Sequence, residues 1–215
     1  MSSRRTAGRV TVLLVDDHAV VREGYRRLLE GAPGMIVVGE AASSEEALQL
    51  DRRLAADVIV LDIALPDVSG IETLRRILAR RPAARVLIFS MHQEAIYASR
   101  ALQAGATGYI SKSSAAELLV EAVRRVAGGM QYVSPDVCEE MSMRESRVTE
   151  IMESLSDREH EVLRLLTRGH QVSEIGRQIG ISAKTVANLQ TSVKRKLGAD
   201  TALQLLVIAR QLGLS

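Results

Sequence analysis

Val12-Leu-Leu-Val-Asp-Asp-His18, VLLVDDH, joins four aliphatic residues directly to two adjacent carboxylates. A continuous apolar run this short reads as a strand buried on both faces, as in a parallel sheet. Asp16 and Asp17 then stand where that strand leaves the core. Two like charges side by side repel one another and raise each other's pKa. Such a pair needs a partner, and what gathers beside it decides what the domain can do.

With the first run spanning 11–15, four more of the same kind follow at 35–38 (MIVV), 57–61 (DVIVL), 85–89 (RVLIF) and 107–110 (TGYI). Between them lie segments of helical period, such as Val20-Val21-Tyr25-Leu28-Leu29 and Ile71-Leu74-Ile77-Leu78. Ser-x-x-Glu pairs at Ser43/Glu46, Ser69/Glu72 and Ser114/Glu117 mark helix starts as capping boxes. Strand and helix alternate five times, which predicts a doubly wound α/β domain with five parallel strands and helices on both faces. Gly128-Gly129 closes its last helix, "MQYVSPDV" follows as a connector, and 137–153 reads as a polar helical linker. A fourth capping box, Ser156/Glu159, opens a region with no strand-like run. The organisation expected is thus 1–130, an α/β domain; 131–153, a linker; and 154–215, an all-helical domain.

Composition agrees with two globular domains: 215 residues, 47% apolar and 25% charged, with Phe89 and four tyrosines as the aromatic residues. The single cysteine, Cys138, cannot close an internal disulfide, which suits a reducing compartment. With no apolar run of membrane-span length and no signal-like N-terminal stretch, the expectation is a soluble, cytoplasmic protein. The net charge of +2 is unevenly spread. Residues 130–161 carry three basic against nine acidic residues, whereas 162–215 carry eight basic against two acidic. A basic C-terminal domain behind an acidic connector faces an anion.

In open α/β sheets ligands sit beyond the carboxyl ends of the strands. There Asp16 and Asp17 follow the first run, Asp62 the third and Ser90 the fourth, with Lys112 just past the fifth. Three close carboxylates call for a cation, and an oxygen-only donor set selects Mg²⁺ over zinc. With Mg²⁺ held, Asp62, on a different strand from the acidic pair, is the candidate nucleophile toward a phosphoryl donor. Lys112 and Ser90 are placed to receive phosphoryl oxygens.

In these residues the α/β region resembles the receiver domain of NarL/LuxR-type two-component response regulators. Asp16/Asp17, Asp62 with Pro66 and Gly70 downstream, Ser90, Tyr109 and Lys112 fall in the family's order. The resemblance implies that Asp62 accepts phosphate from a sensor histidine kinase. It also implies that Asp17, Asp62 and the carbonyl of Ala64 hold Mg²⁺, with Asp16 acting partly through water. Ser90 and Tyr109 would be the switch pair, the ring turning inward when Ser90 moves to the phosphoryl group. The chain departs from the common pattern at Ser113, where many receivers have proline, at Met91, where many have a small residue, and at Ala64.

Beyond the linker, helices are expected near 157–168, 172–179, 183–197 and 201–211. The second and third are joined by "GIS", in which Gly180 permits the turn and Ser182 caps the next helix. A short helix, a glycine turn and a longer basic helix make a helix-turn-helix. The stretch from Leu155 to Gly198 resembles the LuxR-type DNA-binding domain over nearly its whole length. On the third helix Val186, Leu189, Val193 and Leu197 share an inward face. Ala187, Asn188 and Thr191 on the opposite face are the base-contact candidates, while Lys184, Lys194, Arg195 and Lys196 are the candidates for phosphate contacts.

The reading is a transcription regulator, not an enzyme acting on outside substrates, in which phosphorylation frees the recognition helix and promotes dimers on double-stranded DNA. Two rivals are an Mg²⁺-dependent phosphotransfer enzyme, for which His92 is the only evident acid–base group, and a constitutive DNA-binding protein whose receiver serves only to dimerise.

Overall fold

The structure, a computed structural model, describes residues 8–92, 94–114 and 116–211. The outer ends of the two domain assignments, 1–7 and 212–215, lie outside the described residues. The chain divides into two compact units, Met1–Met141 and Ser142–Ser215.

The first unit is built from β1 (Val10–Val15), α1 (Ala19–Gly31), β2 (Met35–Ala41), α2 (Ser44–Leu54), β3 (Val58–Leu61), α3 (Gly70–Arg80), β4 (Val86–Ser90), α4 (Ala95–Gln103), β5 (Gly108–Ser111), α5 (Ala116–Ala127) and β6 (Tyr132–Val133). The strands form one parallel sheet in the order β2-β1-β3-β4-β5-β6. Alternate residues feed two cores, as pleating requires. Leu13, Val15, Ile59, Leu61, Val86, Ile88 and Tyr109 pack with residues of α2, α3 and α4. Val12, Leu14, Val58, Val60, Leu87, Phe89 and Ile110 pack with residues of α1 and α5. A one-residue slip would exchange the two sets, so the distinct shapes packed against the two helix layers fix the register that aligns the strand ends. The sheet has a sixth strand beyond the five that the apolar runs predict. Two residues are too few to show a period, and β6 exists because the connector pairs Tyr132 with Gly108 and Val133 with Tyr109.

The helix starts follow their serines to different degrees. Ser156 and Glu159 close a full capping box. Ser43 accepts the Glu46 N–H, but the Glu46 carboxylate accepts from Ala42, one residue further out. Ser69 accepts from Ile71, and Glu72 turns instead to Arg76. The Ser114 hydroxyl donates to Asp136.

A long helix, α6 (Pro135–Ser154), begins in the first unit and ends in the second. The second unit adds α7 (Asp157–Thr167), α8 (Val172–Ile179), α9 (Ala183–Leu197) and α10 (Ala202–Gln211) around one core of Leu155, Val162, Leu165, Ile175, Val186, Val193 and Leu205. No helix among the described residues is long and apolar enough to cross a membrane.

Candidate functional site

The sheet order reverses direction between β1 and β3, because β1 carries β2 on its other edge. Such a switch point opens a crevice at the carboxyl ends of the two strands. Asp16 and Asp62 stand there, both buried. The Lys112 ammonium bridges them, 2.5 Å from Oδ2 of each, and only 6% of its side chain is exposed. Burial by itself would lower the Lys112 pKa, but the hydrogen bonds and charges of Asp16 and Asp62 outweigh it and raise the value. The same ammonium lies 5.9 Å from the centroid of the Phe89 ring, which Tyr25 meets edge-on.

Asp17 is on the exposed side of the pair. Asp16, Asp17 and His18 each bring a ligand atom within 4.8 Å of the others. His18 occupies the N-cap position of α1, and its Nδ1 is 2.7 Å from Asp17 Oδ1. Asp16 is thus common to two groups, one with Asp62 around the Lys112 ammonium and one with Asp17 and His18, and two carboxylates face the single ammonium. Asp16 Oδ1 accepts the His18 N–H, and Asp62 Oδ1 accepts the Ala64 N–H. Each carboxylate oxygen has two acceptor sites, so capacity for a hard cation is left over.

Ser90 is fully buried, and its Oγ accepts the His92 N–H at 3.3 Å. Tyr109 is fully buried as well, donating its hydroxyl to the His92 carbonyl at 2.6 Å. Burial raises the phenol's pKa, and a hydrogen bond with Ser90 offsets this in part. The ring thus already sits inward, where the resemblance places it only after phosphorylation. The His92 ring itself stacks on Tyr97 and faces Glu94.

In the second unit, Lys184, Ala187, Asn188, Thr191 and Arg195 are exposed along α9, while Val186, Val193 and Leu197 are buried and Leu189 is half-buried. Gly176 of α8 lets α8 and α9 meet: a Cβ there would lie 2.7 Å from the Ile181 carbonyl oxygen. The Thr191 hydroxyl donates back to the Ala187 carbonyl, and Lys194 Nζ donates to the Asp200 carbonyl. Lys196 departs from the expected phosphate-contact set. Its ammonium donates to Glu159 Oε2 at 2.7 Å and to the Ser154 carbonyl at 2.6 Å. A lysine held by a buried carboxylate and a helix-end carbonyl is committed to the fold.

Residues 12–124 match the family described as "Response regulator receiver domain", and 153–209 match "Bacterial regulatory proteins, luxR family". The chain is 35% identical over 208 residues to the Response regulator UvrY of Escherichia coli strain K12, covering 95% of each. The chain belongs to the LuxR-type response regulators. Among solved structures, a LuxR-family two-component response regulator from Aurantimonas sp. SI85-9A1 shares 45% identity with a TM-score of 0.63, over 64% of this chain and 99% of that one. RcsB from Salmonella enterica serovar Typhimurium, bound to promoter P1flhDC in the presence of the phosphomimetic BeF3-, shares 27% identity with a TM-score of 0.60, over 93% and 97%.

Three supports of this response regulator's acidic site are not legible as such in the sequence. Arg22 donates to the Asp16 carbonyl at 2.5 Å and lies 3.5 Å from Glu40, holding the turn after β1. Asp67 accepts the N–H groups of Ser44 and Glu45, which lowers its pKa and pins the loop after Asp62 to the start of α2. Gly70 lies so close beneath β3 that a Cβ would come within 2.0 Å of the Asp62 carbonyl oxygen. The signal for each was present as residue type, but the partners are remote in sequence or are backbone atoms.

Proposed function

We propose that the first unit is a phosphoryl switch acting at Asp62 and that α9 of the second unit reads double-stranded DNA, making the chain a cytoplasmic transcription regulator and not an enzyme with an outside substrate. The domain assignment that goes with this is a receiver over 1–130, a linker over 131–153 and a helix-turn-helix domain over 154–215. The observation that carries the reading is the geometry at the switch point: a buried carboxylate, Asp62, held by a buried ammonium that it shares with the buried carboxylate of Asp16.

Asp16, Asp17, Asp62 and the Ala64 carbonyl would hold Mg²⁺, a donor set of hard oxygens that suits it. When bound, the ion supplies charge neutralisation for a transferring phosphoryl group. An Asp62 oxygen attacks phosphorus of a phosphohistidine on a sensor kinase. The O–P bond forms as the P–N bond breaks, and the electron pair returns to the imidazole, which takes up a proton. Lys112 gives up Asp62 Oδ2 and pairs with a phosphoryl oxygen, while the Ser90 hydroxyl turns from the His92 N–H toward another. Tyr109, already donating to the His92 carbonyl, holds the β4–α4 segment in the arrangement that this leaves behind.

On α9, Ala187, Asn188 and Thr191 would meet base edges, with Asn188 suited to adenine and the methyl-bearing Ala187 and Thr191 to thymine. Lys184, Lys194 and Arg195 would contact phosphates, which gives register and affinity. Phosphorylation would promote homodimers on paired half-sites, with α10 as the pairing element. Its exposed Leu203, Leu206 and Val207 fit that role. That RcsB was solved on a promoter with a phosphomimetic supports the same order of events.

The test is intact mass after incubation with a small phosphodonor and Mg²⁺, comparing wild type with Asp62→Asn, followed by DNA binding of the same samples. One phosphoryl adduct on wild type alone, with tighter DNA binding, is the expected result. The inward Tyr109 ring favours one rival, a constitutive DNA-binding protein. DNA affinity that is the same with and without the adduct would establish that rival instead.

A further inference from the structure

The connector after α5 is bonded to the strand and loop that carry Tyr109 and Lys112. The Ser134 N–H donates to the Tyr109 carbonyl at 3.0 Å, and the Ser134 hydroxyl accepts the Ser111 N–H at 3.4 Å. The Ser134 carbonyl in turn accepts the Cys138 N–H, the first turn of α6. On the far side of Lys112, the Ser114 hydroxyl donates to Asp136 Oδ1 at 2.9 Å. The loop between these two attachments is a closed turn. The Ser114 N–H donates to the Ser111 carbonyl, and the Ser111 and Ser113 hydroxyls are hydrogen-bonded at 2.5 Å. Lys112 sits inside that turn, its own N–H held by the Ser90 carbonyl at 2.7 Å.

Both flanks of Lys112 are therefore tied to residues 134–136, where α6 starts. Ser134 and Ser111 are fully buried, so moving one without the other leaves a buried polar group unsatisfied. Any shift of the turn as Lys112 leaves Asp62 Oδ2 for a phosphoryl oxygen would have to be followed by Ser134 and Asp136, or break their bonds. The serine following Lys112 is part of this, because its hydroxyl completes the turn.

We propose that Ser134 and Asp136 are positioning residues of the phosphoryl site. They set where Lys112 stands, and through them the state of Asp62 is transmitted to the first turn of α6. The proposal rests on the phosphorylation reading above and specifies the route by which that site is coupled to the rest of the chain. Coupling of this kind is reciprocal at equilibrium: whatever the phosphoryl group does to DNA affinity, DNA does to the affinity for the phosphoryl mimic.

The experiment uses the full chain with Mg²⁺ and beryllofluoride as the phosphoryl mimic. DNA affinity is measured with and without beryllofluoride, and beryllofluoride affinity with and without DNA. The wild type should show one coupling factor in both directions. In Asp136→Ala and in Ser114→Ala beryllofluoride should still bind, while the coupling factor falls by about fivefold or more. Asp136→Asn should restore it, because the amide oxygen still accepts from Ser114. Glu139→Ala, the next acid along α6, should leave it unchanged. Wild-type coupling within twofold in both Asp136→Ala and Ser114→Ala overturns the proposal, as does an equal loss in Glu139→Ala, which would trace the effect to helix-end charge. A wild type whose DNA affinity ignores beryllofluoride overturns this proposal and the phosphorylation reading together. The wild-type arm alone distinguishes that outcome from failure of the route.

Discussion

Two lysines with buried partners, one in each unit, do opposite things. Lys196 meets one carboxylate and one carbonyl, and every charge in its neighbourhood is answered. Lys112 meets two carboxylates from different strands, so one positive charge faces two negative ones, and Asp17 adds a further carboxylate beside Asp16. The first arrangement is balanced and closes the joint between α6, α7 and α9. The second is left short of positive charge, at the strand ends where a divalent ion and a phosphoryl group could enter. What separates them is the charge that the fold leaves for something else to supply.

The largest expected effect follows from removing the short-handed lysine. Lys112→Met should slow formation of the Asp62 adduct from a small phosphodonor by about a hundredfold, since a preorganised charge aimed at the transferring group is lost. Intact mass over time reads this out, and melting of the second unit should not change. An adduct forming at the wild-type rate would reduce Lys112 to a structural counter-ion like Lys196.

A medium effect should fall on the other lysine. Lys196→Met strands the buried Glu159 and should cost the second unit about 2–3 kcal/mol, seen by thermal or denaturant melting, with adduct formation untouched. The Glu159 pairing should also fail at the acid end of the pH scale. Hydrogen bonds from Lys196, Ser192 and Ser156 hold Glu159 down to about 2, against an ordinary 4.5. Its stabilisation is therefore complete above pH 4.5 and lost as pH falls toward 2. The raised Lys112 contributes in full below its ordinary 10.5 and loses its contribution only as pH rises through its higher folded value. Acid melting between pH 4.5 and 2 should thus weaken wild type more than Glu159→Gln.

The smallest effect concerns Asp17, the exposed member of the unbalanced cluster. Without divalent ions, Asp17→Asn should raise stability by about 0.5–1 kcal/mol by relieving repulsion. It should also shrink the rise in melting temperature that Mg²⁺ produces in wild type. If Mg²⁺ stabilises both equally, the excess charge is not what the ion answers.

Much of this was legible because the signals were local. The aliphatic runs ending in Asp16, Asp62 and Ser90 placed the strand ends, and the period of Val186, Val193 and Leu197 sorted the faces of α9. What escaped was non-local. A helical wheel shows that Lys196 lies near the surface, yet it cannot show that α6 and α7 bring Ser154 and Glu159 to meet it. The pairing of β6 came from two residues without a pattern, and with it the bonds from Ser134 and Asp136 to the Lys112 loop. Glu46 and Glu72 fit a capping-box spacing, but only the backbone conformation decides whether the carboxylate turns back on its own cap.

Gly70 has a consequence of another sort. With room for a hydrogen but not for a methyl group beneath the Asp62 carbonyl, position 70 accepts one amino acid out of twenty for want of space. A saturation library scored for signalling would rank it beside Asp62 itself, although it touches no phosphate and carries no proton. Tolerance maps of this chain will mark clearance as sharply as they mark reactivity, and the packing around each position tells the two apart.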